Sequence, residues 1–208
     1  MFIALIIKGG LVMIPIIALS IIGLAMILER AWTLWKIRLD IPQFTQEIFL
    51  HLERGQFQRA LERCGKVKHP IADVFKLGIL NRTLKREEIE SMMEREGDEQ
   101  VQYLEQYLGA LIIIIGVEPM LGFLGTIIGL IRAFMAWEQL GSNITVSALA
   151  AGIYQAMITT AAGLLVAIPA YILYHLIVGR IKNHAQEMTY YSNELIDILA
   201  KSKEGVVR

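Results

Sequence analysis

From Gln139 through Gly179 the chain runs for 41 residues without a single Asp, Glu, Lys or Arg. That run constrains the fold more than any other feature. A helix that crosses a bilayer needs about 20 apolar residues, whereas a soluble domain of this size has no use for 41 uncharged ones. Composition points the same way, with 55% hydrophobic and 19% charged residues. The formal net charge of zero argues against a nucleic-acid partner, which calls for a basic surface. Cys64 is the single cysteine, so no internal disulfide can form and a reducing compartment fits.

Three spans can be placed, which makes this an all-α membrane protein. They run over 9–28, 108–136 and 153–178, flanked by an N-terminal segment 1–8, a long segment 29–107, a short loop 137–152 and a tail 179–208. The first stretch follows Lys8, as in the n-region of a signal peptide. It is longer than a usual signal core and ends in Glu29-Arg30, not at a small-residue cleavage site, so a retained helix is expected. The segment from Glu29 to Tyr107 holds 13 Lys or Arg residues, and the loop from Trp137 to Gly152 holds none. The positive-inside rule then places segment 29–107 and the tail in the cytoplasm, and the N-terminus and the loop 137–152 outside. Trp32, Trp35 and Trp137 follow the ends of spans as interfacial anchors do.

The cytoplasmic segment reads as helical. Pro42 suits a first helical turn, Gly55 interrupts the pattern, and Gly65 with Pro70 marks a break. Thr83 is a candidate cap for a long helix with Glu87, Glu88 and Glu90 near its positive end. Apolar positions Ile89, Met92, Met93, Val101, Leu104 and Leu108 recur at spacings of about three and four, which predicts that this helix runs unbroken into span two. Met188, Tyr191, Leu195 and Ile198 predict a similar extension of span three. Long cytoplasmic helices thus extend spans two and three.

The chemistry of the chain lies in two stretches that each set a threonine among small residues. Span two carries Gly122-Phe-Leu-Gly125-Thr126-Ile-Ile-Gly129, and span three carries Gln155-Ala-Met-Ile-Thr159-Thr160-Ala-Ala-Gly163. Glycines at 122, 125, 129 and 163 allow close helix packing in lipid. At 1.5 Å per residue, Thr126 and Thr160 both fall roughly 10 to 15 Å below the outer end of their spans, so two hydroxyls on antiparallel helices meet at one level. A hydroxyl both donates and accepts, and can relay water or solvate a carboxylate. The plain alternative is that each threonine bonds its own backbone one turn back. Pro15, Pro119 and Pro169 place one kink candidate in each span.

Glu118 is an ionisable group inside a span and therefore a functional candidate, as a proton exit or ion-collecting site towards the cytoplasmic mouth, or as a simple interfacial acid. Arg132 lies about one turn from the outer end, where it can snorkel to the headgroups or contact a partner chain. His51, His69, His175 and His184 form no metal-ligand pattern with one another or with Cys64. Phosphate-binding loops, dinucleotide fingerprints and nucleophile elbows are absent from the sequence. Neither an enzyme nor a cofactor is expected.

These residues carry a resemblance. The stretch from Gly122 to Gly129, together with Ala156 to Ala170, is similar to the MotA/TolQ/ExbB proton-channel family. The opening Gly9-Gly-Leu-Val-Met-Ile-Pro15, followed by Leu28-Glu-Arg-Ala-Trp32, resembles the ExbB/TolQ branch. The resemblance covers all three spans and is loose in the cytoplasmic segment. It implies a homo-oligomer, expected to be a pentamer, around a single-span partner of ExbD or TolR type whose membrane aspartate completes the ion path through Thr126 and Thr160. One departure stands out: several relatives carry Glu where this chain has Gln155, and Gln cannot carry a proton as an acid does. Thr159, where the family often has Ala, adds a hydroxyl and leaves room for sodium coupling. A self-sufficient channel and a non-conducting membrane scaffold are the other readings.

Overall fold

The computed structural model describes residues 2–141 and 145–206. Residues 1, 142–144 and 207–208, which belong to the segments expected at 1–8, 137–152 and 179–208, lie outside the described residues. The described elements are eight helices: α1 (Phe2–Gly9), α2 (Met13–Lys36), α3 (Ile41–Glu53), α4 (Phe57–Lys66), α5 (Pro70–Leu80), α6 (Arg86–Leu104), α7 (Leu108–Leu140) and α8 (Val146–Val206). Three stretches, Met13–Lys36, Arg86–Leu140 and Leu149–Ser202, are each long and apolar enough to cross a membrane. The chain divides into two units, one of residues 1–29 and 107–176, the other of residues 30–106 and 177–208.

The first unit holds α1, the start of α2, α7 and the first half of α8. Gly10, at φ 74°, turns the chain between α1 and α2, a conformation that glycine adopts without strain. Pro15 is the third residue of α2. It therefore opens a helix instead of kinking one, because a first-turn residue has no N–H to contribute to the ladder. Pro119 and Pro169 do lie inside their helices. Val12, Met13 and Ile16 pack under Leu121, Ile128 and Ile158. Helices α7 and α8 overrun the apolar spans, leaving five residues between Leu140 and Val146 where a 16-residue loop is read from the sequence.

The second unit has a conventional apolar core. Phe44 and Phe49 of α3 stack on Phe75 of α5 at 6.1 and 5.9 Å, and Ile89, Met93, Leu195 and Leu199 close the cluster. Local signals set the boundaries. Asp40 accepts from the Gln43 N–H at 3.1 Å to cap α3, with Pro42 in its first turn. Gly55, at φ 70°, separates α3 from α4. His69 caps α5 by accepting from the Ile71 N–H at 3.2 Å, and Pro70 is the first residue of that helix. Gly65, expected at a break, lies inside α4, and the break falls at Val67 to His69.

Two expectations about α6 are corrected. Its start is not at Thr83: Lys85 holds the capping position, and the Glu88 carboxylate reaches back to accept from the Lys85 N–H at 3.1 Å. Nor does the helix run unbroken into span two. Residues 105–107 form a turn, with Tyr107 left-handed at φ 68°. The buried Arg30 guanidinium donates to the carbonyls of Tyr103 and Leu104 at 2.9 and 3.4 Å, occupying last-turn acceptors that a continuing helix would use itself. The apolar stripe is continuous in sequence, so it carries no trace of this turn.

Candidate functional site in the small-residue seam

Helices α7 and α8 meet along a seam that only small residues permit. The buried positions of α7 in this region are Glu118, Gly122, Gly125, Gly129 and Ala133, spaced by three and four. Those of α8 are Gly152, Gln155, Ala156, Thr159, Gly163 and Ala167. A Cβ placed on Gly129 would stand 2.6 Å from the Gly152 carbonyl oxygen, and one on Gly152 would stand 2.6 Å from the Gly129 oxygen. A Cβ on Gly163 would lie 2.6 Å from the Glu118 carbonyl oxygen, and one on Gly122 would lie 3.0 Å from that of Thr159. The obstacles are backbone atoms, which cannot swing aside as a side-chain end can. Close backbone approach is how membrane helices gain packing energy where lipid removes the hydrophobic driving force.

The two half-buried threonines face each other across this seam. The Thr126 hydroxyl lies in hydrogen-bond contact with the Thr160 hydroxyl. Each is also placed to donate to a carbonyl of the opposite helix, Thr126 to Ala156 at 3.2 Å and Thr160 to Gly122 at 3.1 Å. Thr126 has the carbonyl of Gly122, one turn back, at 3.4 Å as a third choice. Each hydroxyl has one proton, so it can serve one of these acceptors at a time. The pair can therefore be rewired by rotating a hydroxyl, without moving a helix.

Thr159 behaves differently. It is fully buried, and its hydroxyl donates to its own helix at the carbonyls of Gln155 (3.1 Å) and Ala156 (3.0 Å). Its side chain fills the space opposite Gly125. Gln155 is buried near the other end of the seam, where its Oε1 accepts from the Arg132 guanidinium at 2.9 Å. Arg132 thus reaches back along the helix pair to an amide, where the sequence suggests that it snorkels to headgroups. Gly10 stands close to this group, and a Cβ there would come 2.5 Å from the Gln155 amide nitrogen. Glu118 is 1% exposed and lines a cavity with residues of α2. His175 contacts the rings of Tyr171 and Tyr174.

The structure therefore brings Thr126, Thr160, Gly122, Gly125, Gly129 and Gly163 into one seam, and leaves the Glu118 side chain and the Arg132–Gln155 pair as separate polar groups. Sequence reasoning missed Gly152 and the Arg132–Gln155 bond. The first had a signal, since Gly152 extends the Ala156 and Gly163 spacing by one turn. The second had none, because the partners lie 23 residues apart.

A three-span α-helical chain with paired threonines in a glycine seam matches a known class. The chain belongs to the MotA/TolQ/ExbB proton channel family, with residues 66–190 matched. Among individual relatives, it is 37% identical over 186 residues to a biopolymer transport protein ExbB homologue of Methanothermobacter thermautotrophicus, covering 87% of this chain and 64% of that one. It is 32% identical over 204 residues to a biopolymer transport protein ExbB-like protein of Synechocystis, covering 89% and 72%. The Tol-Pal system protein TolQ of Haemophilus influenzae is 32% identical over 106 residues, covering 51% and 46%.

Proposed function

We propose that this chain is a channel-forming subunit of an inner-membrane motor complex that couples proton flow to mechanical work at the cell envelope, as in ExbB/TolQ energy transduction. The observation that carries this reading is the contact between the Thr126 and Thr160 hydroxyls, set in a seam too narrow for a Cβ. Such a pair can pass hydrogen bonds to waters or to a carboxylate brought by another helix, yet holds no fixed charge of its own. A single-span partner of ExbD or TolR type, carrying a membrane aspartate, would supply that charge. Copies of this chain, five by resemblance, would form the housing in the bilayer. The scale is adequate, since one charge crossing 100 mV releases about 2.3 kcal/mol. The charge asymmetry of the loops supports an N-terminus outside and a tail in the cytoplasm. Thr159 spends its proton on its own backbone, which favours proton over sodium coupling.

The test removes the hydroxyls while keeping shape. Thr126→Val and Thr160→Val should each abolish gradient-driven work in cells, with membrane abundance and partner co-purification unchanged. Thr→Ser at either position should keep part of the activity. Full activity in the double valine variant would overturn the pathway and leave a scaffold.

A further inference from the structure

Glu118 is the one residue of the seam whose charge-bearing atoms have no partner. Both carboxyl oxygens are buried, with no hydrogen-bond donor in reach among the described residues. The side chain lines a cavity of about 340 Å³ whose walls are aliphatic, from Leu19, Ile27, Leu111, Ile115 and Leu173. A bare carboxylate in such a setting costs several kcal/mol, so the cavity tolerates Glu118 as the neutral acid or as a carboxylate with a cation beside it.

Two further features leave backbone acceptors on residues that line the same cavity. Pro119 lies inside α7 and has no N–H, so it cannot make the helical bond to the carbonyl of Ile115, four residues back. Pro169 inside α8 does the same to the carbonyl of Leu165. Ile115 and Leu165 both line the cavity that Glu118 lines. Two helix-interior prolines thus leave the carbonyls of two cavity-lining residues without their helical donor, free to accept from an O–H or a water.

We propose that Glu118 is a membrane-embedded proton-binding site of this chain itself, taking up and releasing a proton in the cavity between α2, α7 and α8. A metal cation is disfavoured by the surroundings. It would have to exchange its water for several oxygens at once, and among the side chains lining the cavity only Ser20 offers one besides the carboxyl itself. Ser20, the other polar side chain of the cavity, already donates to the Ile17 carbonyl at 2.8 Å. The site stands on the cavity and the acid and does not depend on the threonine pathway.

The test uses the full chain in liposomes, without a partner. Infrared difference spectra between low and high pH should contain the C=O stretch of a carboxylic acid in an apolar setting. Glu118→Gln should remove that band and Glu118→Asp should shift it, which separates loss of the acid from loss of the fold. Dicyclohexylcarbodiimide, an apolar reagent, should mark the same residue: the acid O–H adds across one C=N bond, its proton going to nitrogen, and the adduct rearranges to a stable N-acylurea. Mass spectrometry should find that adduct on the peptide carrying Glu118, less of it as pH rises, and none in Glu118→Gln. An ionised carboxylate throughout the accessible pH range, with neither band nor adduct, would overturn the proposal. So would loss of the band on adding sodium at constant pH, which would make this a sodium site.

Discussion

Replacing Gly129 by alanine should separate α7 from α8, and the structure sets the size of the effect. A Cβ there would lie 2.6 Å from the Gly152 carbonyl oxygen, 2.8 Å from the Ala156 nitrogen and 3.0 Å from the Ala156 Cα. Ordinary contact begins near 3.4 Å, and all three obstacles are backbone. The two helices would have to part by something on the order of 1 Å, enough to forfeit a quarter to a half of each contact well along the seam. Overpacking of this kind costs about 1–3 kcal/mol, against which the better helix propensity of alanine returns at most about 1. Gly116→Ala is the control in the same helix, since a Cβ there meets nothing within 4 Å. Unfolding in mixed micelles by increasing denaturing detergent, followed by circular dichroism, should show Gly129→Ala destabilised by about 1–2 kcal/mol and Gly116→Ala unchanged or slightly stabilised. Gly152→Ala should match Gly129→Ala, and the double variant should cost less than the sum, because one separation relieves both clashes. Equal stability of Gly129→Ala and Gly116→Ala would show that the seam is looser than its geometry and would refute the reasoning.

Other measurements probe the second unit and the polar ends of the seam. Burial, with a smaller contribution from His184, holds His69 down at about 4 from its ordinary 6.5. The unfolded chain therefore binds more protons than the folded one between these values, so stability should fall as pH drops from about 6.5 towards 4, by at most roughly 3 kcal/mol, and stay flat above. His69→Asn, which keeps a capping acceptor, should flatten that profile in pH-dependent thermal melts. Burial pushes the Cys64 thiol up to about 12, so alkylation of the folded protein at neutral pH should be slow and track unfolding. Arg30→Met should cost about 1.5–3 kcal/mol by leaving last-turn carbonyls of α6 without their charged donor, read by chemical denaturation. Gln155→Glu should place a carboxylate on the Arg132 guanidinium and make stability salt-sensitive, which Arg132→Gln in the same background should cancel.

The spans, the helical character of segment 29–107 and the seam itself were legible because each rests on a local or periodic signal. Apolar length gives the spans, and a glycine spacing of three and four gives the face of α7 that packs. The level at which Thr126 meets Thr160 follows from helical rise counted from two span ends. What escaped had no such signal. The turn at 105–107 depends on Arg30, more than 70 residues away, taking the carbonyls of Tyr103 and Leu104, so an apolar stripe continues straight through it. Pro15 reads as a kink until the start of α2 is known, because whether a proline bends or opens a helix is decided by two residues of boundary. Depth counting says nothing of the acid's burial. Rise along α7 puts Glu118 about 12 Å inward of Thr126, but burial depends on which helix covers that face. Here α2 covers it, and the seam ends in an aliphatic cavity. The polar groups of the membrane unit are thus graded along the α7–α8 seam. An arginine holds a glutamine amide at one end, two hydroxyls face each other in the middle, and an unpartnered carboxyl closes the other end. The middle pair lies half-exposed, where another helix can reach it. A partner that brings a carboxylate would therefore act at the threonines, while Glu118, enclosed by its own chain, would exchange its proton through the cavity that α2 covers.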